Sequence, residues 1–228
     1  MIDFRKSFNN FLDVIFPFGV TCLFCGEEIE ENEKYGLCED CRKELNRVKE
    51  SYAKYDGAEV YSSCRYEEAT RSIILDAKDG DRPELTRVMA FYIAEVYRQE
   101  NLGCDCIAYV PCSKKNYGKR GYDHMKICAG FLSDELGLPV LKGLKRIGGK
   151  KDQTEVSLRE RHENVKGKFV YRGEKLDGKK VLLIDDIVTT GATLSECAAA
   201  LASAQPASTV CVTFARAEGS YGGAERTD

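Results

Sequence analysis

The sequence predicts an α/β fold, a mainly parallel sheet flanked by helices, preceded by a small N-terminal module. From residue 104 onward, short apolar segments alternate with segments of helical periodicity, a pattern typical of parallel sheets with helices on both faces. The clearest strand is Val181–Ile184, four apolar residues that suit a fully buried position. The first 60 residues differ from the rest in charge and cysteine spacing. We therefore expect domains at 1–60 and 61–216, with a flexible tail at 217–228.

The individual elements follow from apolar periodicity and turn chemistry. The predicted helices cover residues 67–78, 83–99, 123–136 and 192–204. The predicted strands cover residues 106–111, 138–141, 167–171, 181–184 and 209–214. The polar stretch from residue 112 to Gly121 is predicted as a loop. Residues 142–164 are polar, basic and long for a structureless connection, so we expect a mobile functional loop there.

Composition and charge indicate a globular protein of a reducing compartment. The chain has 228 residues and a formal net charge of −3, which gives no reason to expect general nucleic-acid binding. No segment approaches the roughly 20 apolar residues of a bilayer span. Phe8–Val20, interrupted by Asp13, is predicted as an amphipathic entry helix and not as a signal peptide. Seven of the eleven cysteines mostly lie in apolar contexts, as free thiols do, so a cytoplasmic protein without membrane insertion is expected.

Four cysteines form a metal-binding pattern in the N-terminal module. Cys22-x-x-Cys25 and Cys38-x-x-Cys41 are separated by twelve residues, and two such pairs complete a tetrahedral zinc site. Because four protein thiolates leave no open position, the zinc would be structural. The alternative is a set of four disulfide-bonded or merely structural cysteines. The acidic balance of this segment argues against a surface that faces nucleic-acid phosphates.

A candidate phosphate site follows the strongest strand. Val181–Ile184 leads into Asp185 and Asp186, and a loop rich in hydroxyl groups then opens directly into a helix. Backbone N–H groups at a helix start, together with threonine hydroxyls, can bind a phosphate, and Gly191 allows a close backbone approach. Carboxylates beside a phosphate need another ligand group, and ribose hydroxyls supply one. The alternative is an ordinary exposed turn that ends in two aspartates.

Residues 181–193 resemble the phosphoribosyl-pyrophosphate (PRPP) motif of type I phosphoribosyltransferases. The resemblance implies the fold of that family and a PRPP site in which Asp185 and Asp186 are catalytic and hold the ribose 2′- and 3′-hydroxyls. The 5′-phosphate would be bound by the loop residues Thr189, Thr190, Gly191, Ala192 and Thr193. A Mg²⁺ ion chelated by the pyrophosphate oxygens would arrive with the ligand.

The wider pattern of the chain is similar to the ComF family, the phosphoribosyltransferase-like proteins associated with bacterial competence and DNA utilisation. It consists of the four cysteines and the segments Tyr66-Glu67, Lys78-x-Gly80-Asp81, Val110-Pro111, Arg120-Gly121-Tyr122-Asp123-His124 and Gln153–Phe169. One departure is His124, since glutamine is common at that position. The resemblance implies a pyrophosphate loop at Pro111–Lys115.

Further substrate and lid residues follow from the same resemblance. Those facing PRPP would be Ser113, Lys114, Lys115 and Arg120. The candidate lid residues would be Gln153, Arg161 and Asn164. The two lysines could instead belong to a solvated basic turn, and Arg161 and Asn164 could merely cap and brace the loop.

Three functions remain open at this point. The first is a PRPP-binding enzyme that transfers phosphoribosyl to an unidentified acceptor and releases pyrophosphate, in competence, DNA uptake or DNA utilisation. The second is a non-catalytic, PRPP-responsive adaptor for single-stranded DNA or uptake proteins, since Tyr117 and Tyr122 interleave with basic residues. The third, a plain zinc-ribbon interaction protein, leaves residues 181–193 unexplained.

Overall fold

The computed structural model describes residues 20–30, 34–45, 47–55, 58–147 and 166–217. The predicted entry helix up to residue 19, the tail beyond residue 217 and the lid candidates Gln153, Arg161 and Asn164 lie outside these ranges.

A five-stranded sheet forms the centre of the described chain, in the order β1-β2-β7-β6-β3. Its strands are β1 (Tyr52–Tyr55), β2 (Ala58–Arg65), β3 (Cys106–Tyr109), β6 (Lys180–Val188) and β7 (Ser208–Arg216). The edge strand β1 is antiparallel to β2, and the other neighbours are parallel. A separate antiparallel pair joins β4 (Leu144–Arg146) to β5 (Phe169–Tyr171). The mainly parallel sheet confirms the predicted fold class.

The N-terminal module and the sheet share one stretch of chain. The predicted domain boundary at residue 60 falls inside β2, which pairs with β7 from Val60 to Arg65. The strand β1 also belongs to the central sheet although it precedes that boundary. A hairpin at the end of the N-terminal segment therefore contributes an edge of the main sheet.

Helices cover both faces of the sheet, as predicted. They are α1 (Glu39–Glu44), α2 (Glu68–Asp79), α3 (Leu85–Gln99), α4 (Lys114–Arg120), α5 (His124–Leu136) and α6 (Ala192–Ala202). One buried cluster combines α2, α3 and α5 with side chains such as Ile184 and Phe214. The opposite cluster combines α6 with Leu183 and Cys211. Along β6 the alternation of side chains thus supplies both cores, because successive residues of a strand point to opposite faces.

Three predicted elements were wrong in detail. The strand predicted to end at Ile184 continues to Val188, because β7 pairs with it from Ser208 to Arg216. Both aspartates therefore lie within the strand. The loop predicted up to Gly121 contains α4, which sequence periodicity missed because none of its residues is buried. The strand predicted at 138–141 is reduced to a single bridge between Ile107 and Val140.

Within the part of the chain that the structure describes, no helix combines the length and the apolar character needed to cross a bilayer.

The turn between β6 and α6 packs tightly against the edge strand. Gly191 has a φ of 80°, in the left-handed region that favours glycine. A Cβ atom at this position would lie 2.5 Å from Cβ of Tyr55 and 3.1 Å from its carbonyl oxygen. Glycine is therefore required here for two reasons, the backbone conformation and the contact with β1.

We expect Gly191→Ala to lower the free energy of unfolding by about 2–4 kcal/mol, because it adds a steric clash to the conformational strain. The matched control is Gly178→Ala. Gly178 has a φ of 73°, but a Cβ atom at that position would have no neighbour within 4 Å, so only about 1 kcal/mol of backbone strain is expected there. Urea unfolding of both variants measures the difference. Equal losses at the two positions would contradict the proposed contact with Tyr55.

Candidate functional site

The acidic pair lies near the carboxyl end of the central strand β6. Asp185 and Asp186 are buried, with 9% and 4% of their surface exposed. The backbone N–H of Asp186 donates to Oδ1 of Asp185 at 2.9 Å. In open α/β sheets, ligands bind outside the carboxyl ends of the strands. The structure thus places these two predicted residues where a ligand site is expected.

Two nitrogen atoms converge on one oxygen of Asp186. His124, the first residue of α5, lies with Nε2 2.7 Å from Oδ2 of Asp186. The ammonium group of Lys78, near the end of α2, forms an ion pair with the same oxygen. The other ring nitrogen of His124, Nδ1, is buried and has no hydrogen-bond partner among the described residues. Because an ionised carboxylate can only accept hydrogen bonds, Nε2 of His124 carries the hydrogen and donates it to Asp186.

The two carboxyl groups differ in their electrostatic environments. Burial raises the pKa of Asp185 well above its ordinary value, and the charge of Asp186 raises it further. Burial acts in the same direction on Asp186, but the charge of Lys78 and the hydrogen bond from His124 outweigh it, so the pKa of Asp186 is lowered. For Lys78, burial alone would lower the pKa, yet attraction to Asp186 raises it above its ordinary value. Asp186 is thus the ionised member of the pair, and Asp185 holds a proton more readily.

The loop after the acidic pair opens directly into α6. Gly191 is the N-terminal cap position, and the N–H of Ala192 donates to Oγ1 of the buried Thr190 at 3.4 Å. One turn later, Oγ of Ser195 is buried without a hydrogen-bond partner among the described residues. A hydroxyl group without a protein partner in the first turn of a helix can donate a hydrogen bond to a phosphate oxygen. The sequence analysis missed Ser195, although it lies only two residues beyond Thr193.

The predicted pyrophosphate loop begins beside the same end of the sheet. The N–H of Val110 donates to the carbonyl of Ile184 at 3.0 Å, so the chain leaves β3 next to the acidic pair. Asp123 then fixes the loop, because its carboxylate accepts from the N–H of Cys112 at 2.9 Å while it caps α5. Ser113 caps α4 by accepting from the N–H of Asn116.

The basic residues of this loop have different surroundings. Lys114 and Lys115 are exposed on α4. Arg120 is bound to Asp79, with Nε 2.9 Å from Oδ1, and its side chain is only 12% exposed. The next aromatic residue, Tyr122, donates from its hydroxyl to the carbonyl of Ala77 at 2.9 Å. The end of α2 therefore contacts the segment 120–122 as well as Asp186.

The four predicted metal ligands are brought together. The Sγ atoms of Cys22, Cys25, Cys38 and Cys41 all lie within 4.8 Å of one another. The Sγ atoms of Cys25 and Cys38 are 3.7 Å apart, which is close to the edge of a tetrahedral zinc–thiolate centre. All four are free cysteines and do not form disulfides. The donor set fits structural Zn²⁺ and confirms that prediction.

Arg82 connects the cysteine cluster to α2. Its guanidinium group donates to the carbonyls of Leu23 and Phe24, at 2.6 Å and 3.3 Å, between the first two cysteines. The same group pairs with Glu84 at 3.1 Å and lies 3.8 Å from Asp76. This one side chain therefore holds the zinc module against the turn that follows Lys78.

Comparison with known families identifies the class of protein. Residues 127–226 match the model of the phosphoribosyl transferase domain, and residues 11–67 match that of the double zinc ribbon domain. Together with the mainly parallel sheet and the cysteine cluster, these matches define a phosphoribosyltransferase-like domain joined to a zinc ribbon. Together with two curated relatives, these matches support the assignment to the ComF family that the sequence analysis predicted.

Two of these relatives have names that refer to competence. The chain is 26% identical over 207 residues to Competence protein F of Haemophilus influenzae, covering 78% of this chain and 89% of that protein. It is 24% identical over 180 residues to Competence protein ComFC of Bacillus subtilis, covering 77% and 69%. Among solved structures, a glutamine PRPP amidotransferase from B. subtilis matches at 21% identity with a TM-score of 0.36, over 53% of this chain. The present chain spans about a quarter of the length of that solved protein, since 25% of it is covered.

Opposite effects on stability are expected from the two aspartates. Asp185→Asn is expected to stabilise the fold by about 1 kcal/mol at pH 8, because it removes a carboxyl group whose ionisation burial disfavours. The gain should shrink at pH 5, since lowering the pH protonates the carboxyl of raised pKa in the native chain. Asp186→Asn should cost about 2–3 kcal/mol at both pH values, because it leaves the ammonium of Lys78 without its partner. Because the pKa of native Asp186 is lowered, the stabilisation that its charge provides is lost only in solutions more acidic than pH 5. The free energy of unfolding in urea is measured at the two pH values. Equal losses of stability in the two variants would contradict the assignment of different roles to the two aspartates.

The metal prediction can be tested on purified protein. We expect one Zn²⁺ per chain, and Cys38→Ala should release it and lower the free energy of unfolding by about 2 kcal/mol or more. Cys64→Ala is the matched control, because Cys64 is buried but lies outside the cluster. Zinc is measured by elemental analysis and unfolding by urea. Full zinc retention in Cys38→Ala would contradict the assignment of the ligands.

Proposed function

We propose that this chain binds PRPP through the segment from Asp185 to Thr193. The observation that carries the proposal is the position of the acidic pair. Two buried carboxyl groups, one of them ionised, lie near the carboxyl end of β6, and the turn at Gly191 follows directly and opens α6. An ionised carboxylate accepts hydrogen bonds from ribose hydroxyls, and a helix start attracts a phosphate.

The binding residues divide into three groups under this proposal. Asp185 and Asp186 bind the ribose hydroxyls, and residues 189–193 together with Ser195 bind the 5′-phosphate. The loop from Ser113 to Lys115 faces the pyrophosphate, which would bring Mg²⁺ to help neutralise its charge. Transfer of the phosphoribosyl group passes through an oxocarbenium-like state, so this chain's residues contribute positioning, charge stabilisation and the exclusion of water.

The biological setting is proposed from the relatives. Because two curated relatives are named competence proteins, we place this chain in competence, DNA uptake or DNA utilisation within the cytoplasm. Its chemical role there would be transfer of phosphoribosyl to an acceptor with release of pyrophosphate.

A second candidate function is a non-catalytic adaptor for single-stranded DNA. The specific observation in its favour is Tyr117, which is 53% exposed on α4 between the exposed lysines 114, 115 and 119. An exposed aromatic ring among cations suits stacking with a base and contact with its phosphates. Steeply salt-dependent DNA binding that survives Asp185→Asn would favour this role over the enzyme.

Calorimetric titration of PRPP with Mg²⁺ tests the proposed site. The native protein is expected to bind, and Asp185→Asn is expected to weaken binding by about tenfold or more, because an amide nitrogen replaces one of the two oxygens available to the ribose hydroxyls. Since this variant should remain folded, a loss of binding reports on the site itself. The matched control is Asp177→Asn, an exposed aspartate before the opposite end of β6.

The outcomes separate the site from its catalytic use. Binding by the native and control proteins, with loss in Asp185→Asn, would support the site and justify a screen of acceptors for pyrophosphate release. No binding by a folded, zinc-loaded native protein would overturn the proposed function.

A further inference from the structure

We propose that Lys78 is a positioning residue of the PRPP site, where its ammonium group offsets the charge of Asp186 and so permits an anionic sugar phosphate to bind beside two acidic side chains. The inference rests on the proposed function and adds to it a residue outside the PRPP motif.

The contact itself is specific and shielded from water. Lys78 pairs with Oδ2 of Asp186, and the side chains are 22% and 5% exposed. The same oxygen receives His124, so Oδ1 is left without a hydrogen bond among the described residues. Lysine and histidine thus fix the orientation of the carboxylate from one side and leave its second oxygen to accept a ligand hydroxyl.

Charge in the neighbourhood explains why a cation is needed there. Three acidic side chains lie near one another here, those of Asp123, Asp185 and Asp186. The charges of Asp123 and Asp186 both raise the pKa of Asp185. Arg120, a further cation near Lys78, is already paired with Asp79. Without Lys78, a ligand that carries phosphates would meet carboxylates with no direct counter-charge on either of the pair. Like charges in a desolvated site repel strongly, so affinity should depend on this lysine.

The end of α2 is built to hold Lys78 in place. Its neighbours on both sides are tied to the segment 120–122: the carbonyl of Ala77 accepts from Tyr122, and Asp79 pairs with Arg120. The turn after them is tight, because a Cβ on Gly80 would lie 2.8 Å from Cα of Asp76. Three consecutive residues of α2 therefore contact two parts of the candidate site, the segment 120–122 and Asp186.

A purely stabilising role explains the pair poorly. Removing two charges from water costs free energy that their attraction often fails to recover, so a buried ion pair is weak evidence for stability. Its location near the carboxyl end of β6, on a residue proposed to bind ribose, indicates a role in binding. None of the residues in the PRPP motif itself is a cation, which leaves this task to another part of the chain.

The test separates the charge of Lys78 from its hydrogen bond. Lys78→Gln keeps a polar hydrogen-bond donor in the side chain but removes the charge, and it is expected to raise the Kd for PRPP with Mg²⁺ about tenfold or more. Lys78→Arg keeps the charge and should stay within about threefold of the native value. The loss in Lys78→Gln should be smaller for ribose 5-phosphate, which carries fewer negative charges than PRPP. Lys175→Gln, at an exposed lysine before the opposite end of β6, is the matched control and should bind as the native chain does.

Each outcome bears on a separate statement. Native affinity for PRPP in Lys78→Gln, or an equal loss of affinity in Lys78→Gln and Lys78→Arg, would overturn the role of the lysine charge. The proposed function would still stand in that case if the native chain binds PRPP. An equal loss for PRPP and ribose 5-phosphate would indicate a structural lesion and also overturn it. Failure of the native chain to bind PRPP would overturn the proposed function and this inference with it. Thermal unfolding of every variant confirms that folded protein was titrated.

Discussion

Two adjacent carboxyl groups buried in one strand are the constraint on which the rest of this site depends. Asp185 and Asp186 cannot both be ionised in a dry environment without a counter-charge. The fold resolves this by bringing Lys78 and His124 to one oxygen of Asp186 and by leaving Asp185 with a raised pKa. Neighbouring groups hold these side chains in position. Asp123 caps the helix that carries His124, and the same carboxylate accepts a hydrogen bond from the loop at Cys112.

The N-terminal half of the chain is more than an appendage to the phosphoribosyltransferase-like domain. Tyr55 lies against the turn at Gly191, and Lys78 reaches Asp186. Arg82 binds the carbonyls between the first two cysteines and so joins the zinc module to the turn after α2. A module whose metal is structural can therefore still influence a site that contains none of its ligands.

The sequence predicted those parts of the molecule that local chemistry determines. Apolar periodicity identified the helices α2, α3 and α5 within a residue or two, and cysteine spacing identified the metal cluster. It failed at α4, whose polar residues show no buried face, and at the end of β6, where pairing with β7 carries the strand past the aspartates. The contact between Lys78 and Asp186 joins positions far apart in the chain, so no local pattern contains it. The motif Lys78-x-Gly80-Asp81 was visible, but its partner was not.

The strand order has a consequence for the way the protein is made. The β1–β2 hairpin is synthesised before the rest of the sheet, yet its neighbour is β7, the last strand of the described chain. Until Ser208–Arg216 has been synthesised, β2 presents an unpaired edge, and the turn at Gly191 has no stable sheet around it. Such long-range parallel pairing is intrinsically slow to form. A nascent chain of this protein therefore carries this aggregation risk from the synthesis of β2 until that of β7, and folding of the site waits for β7.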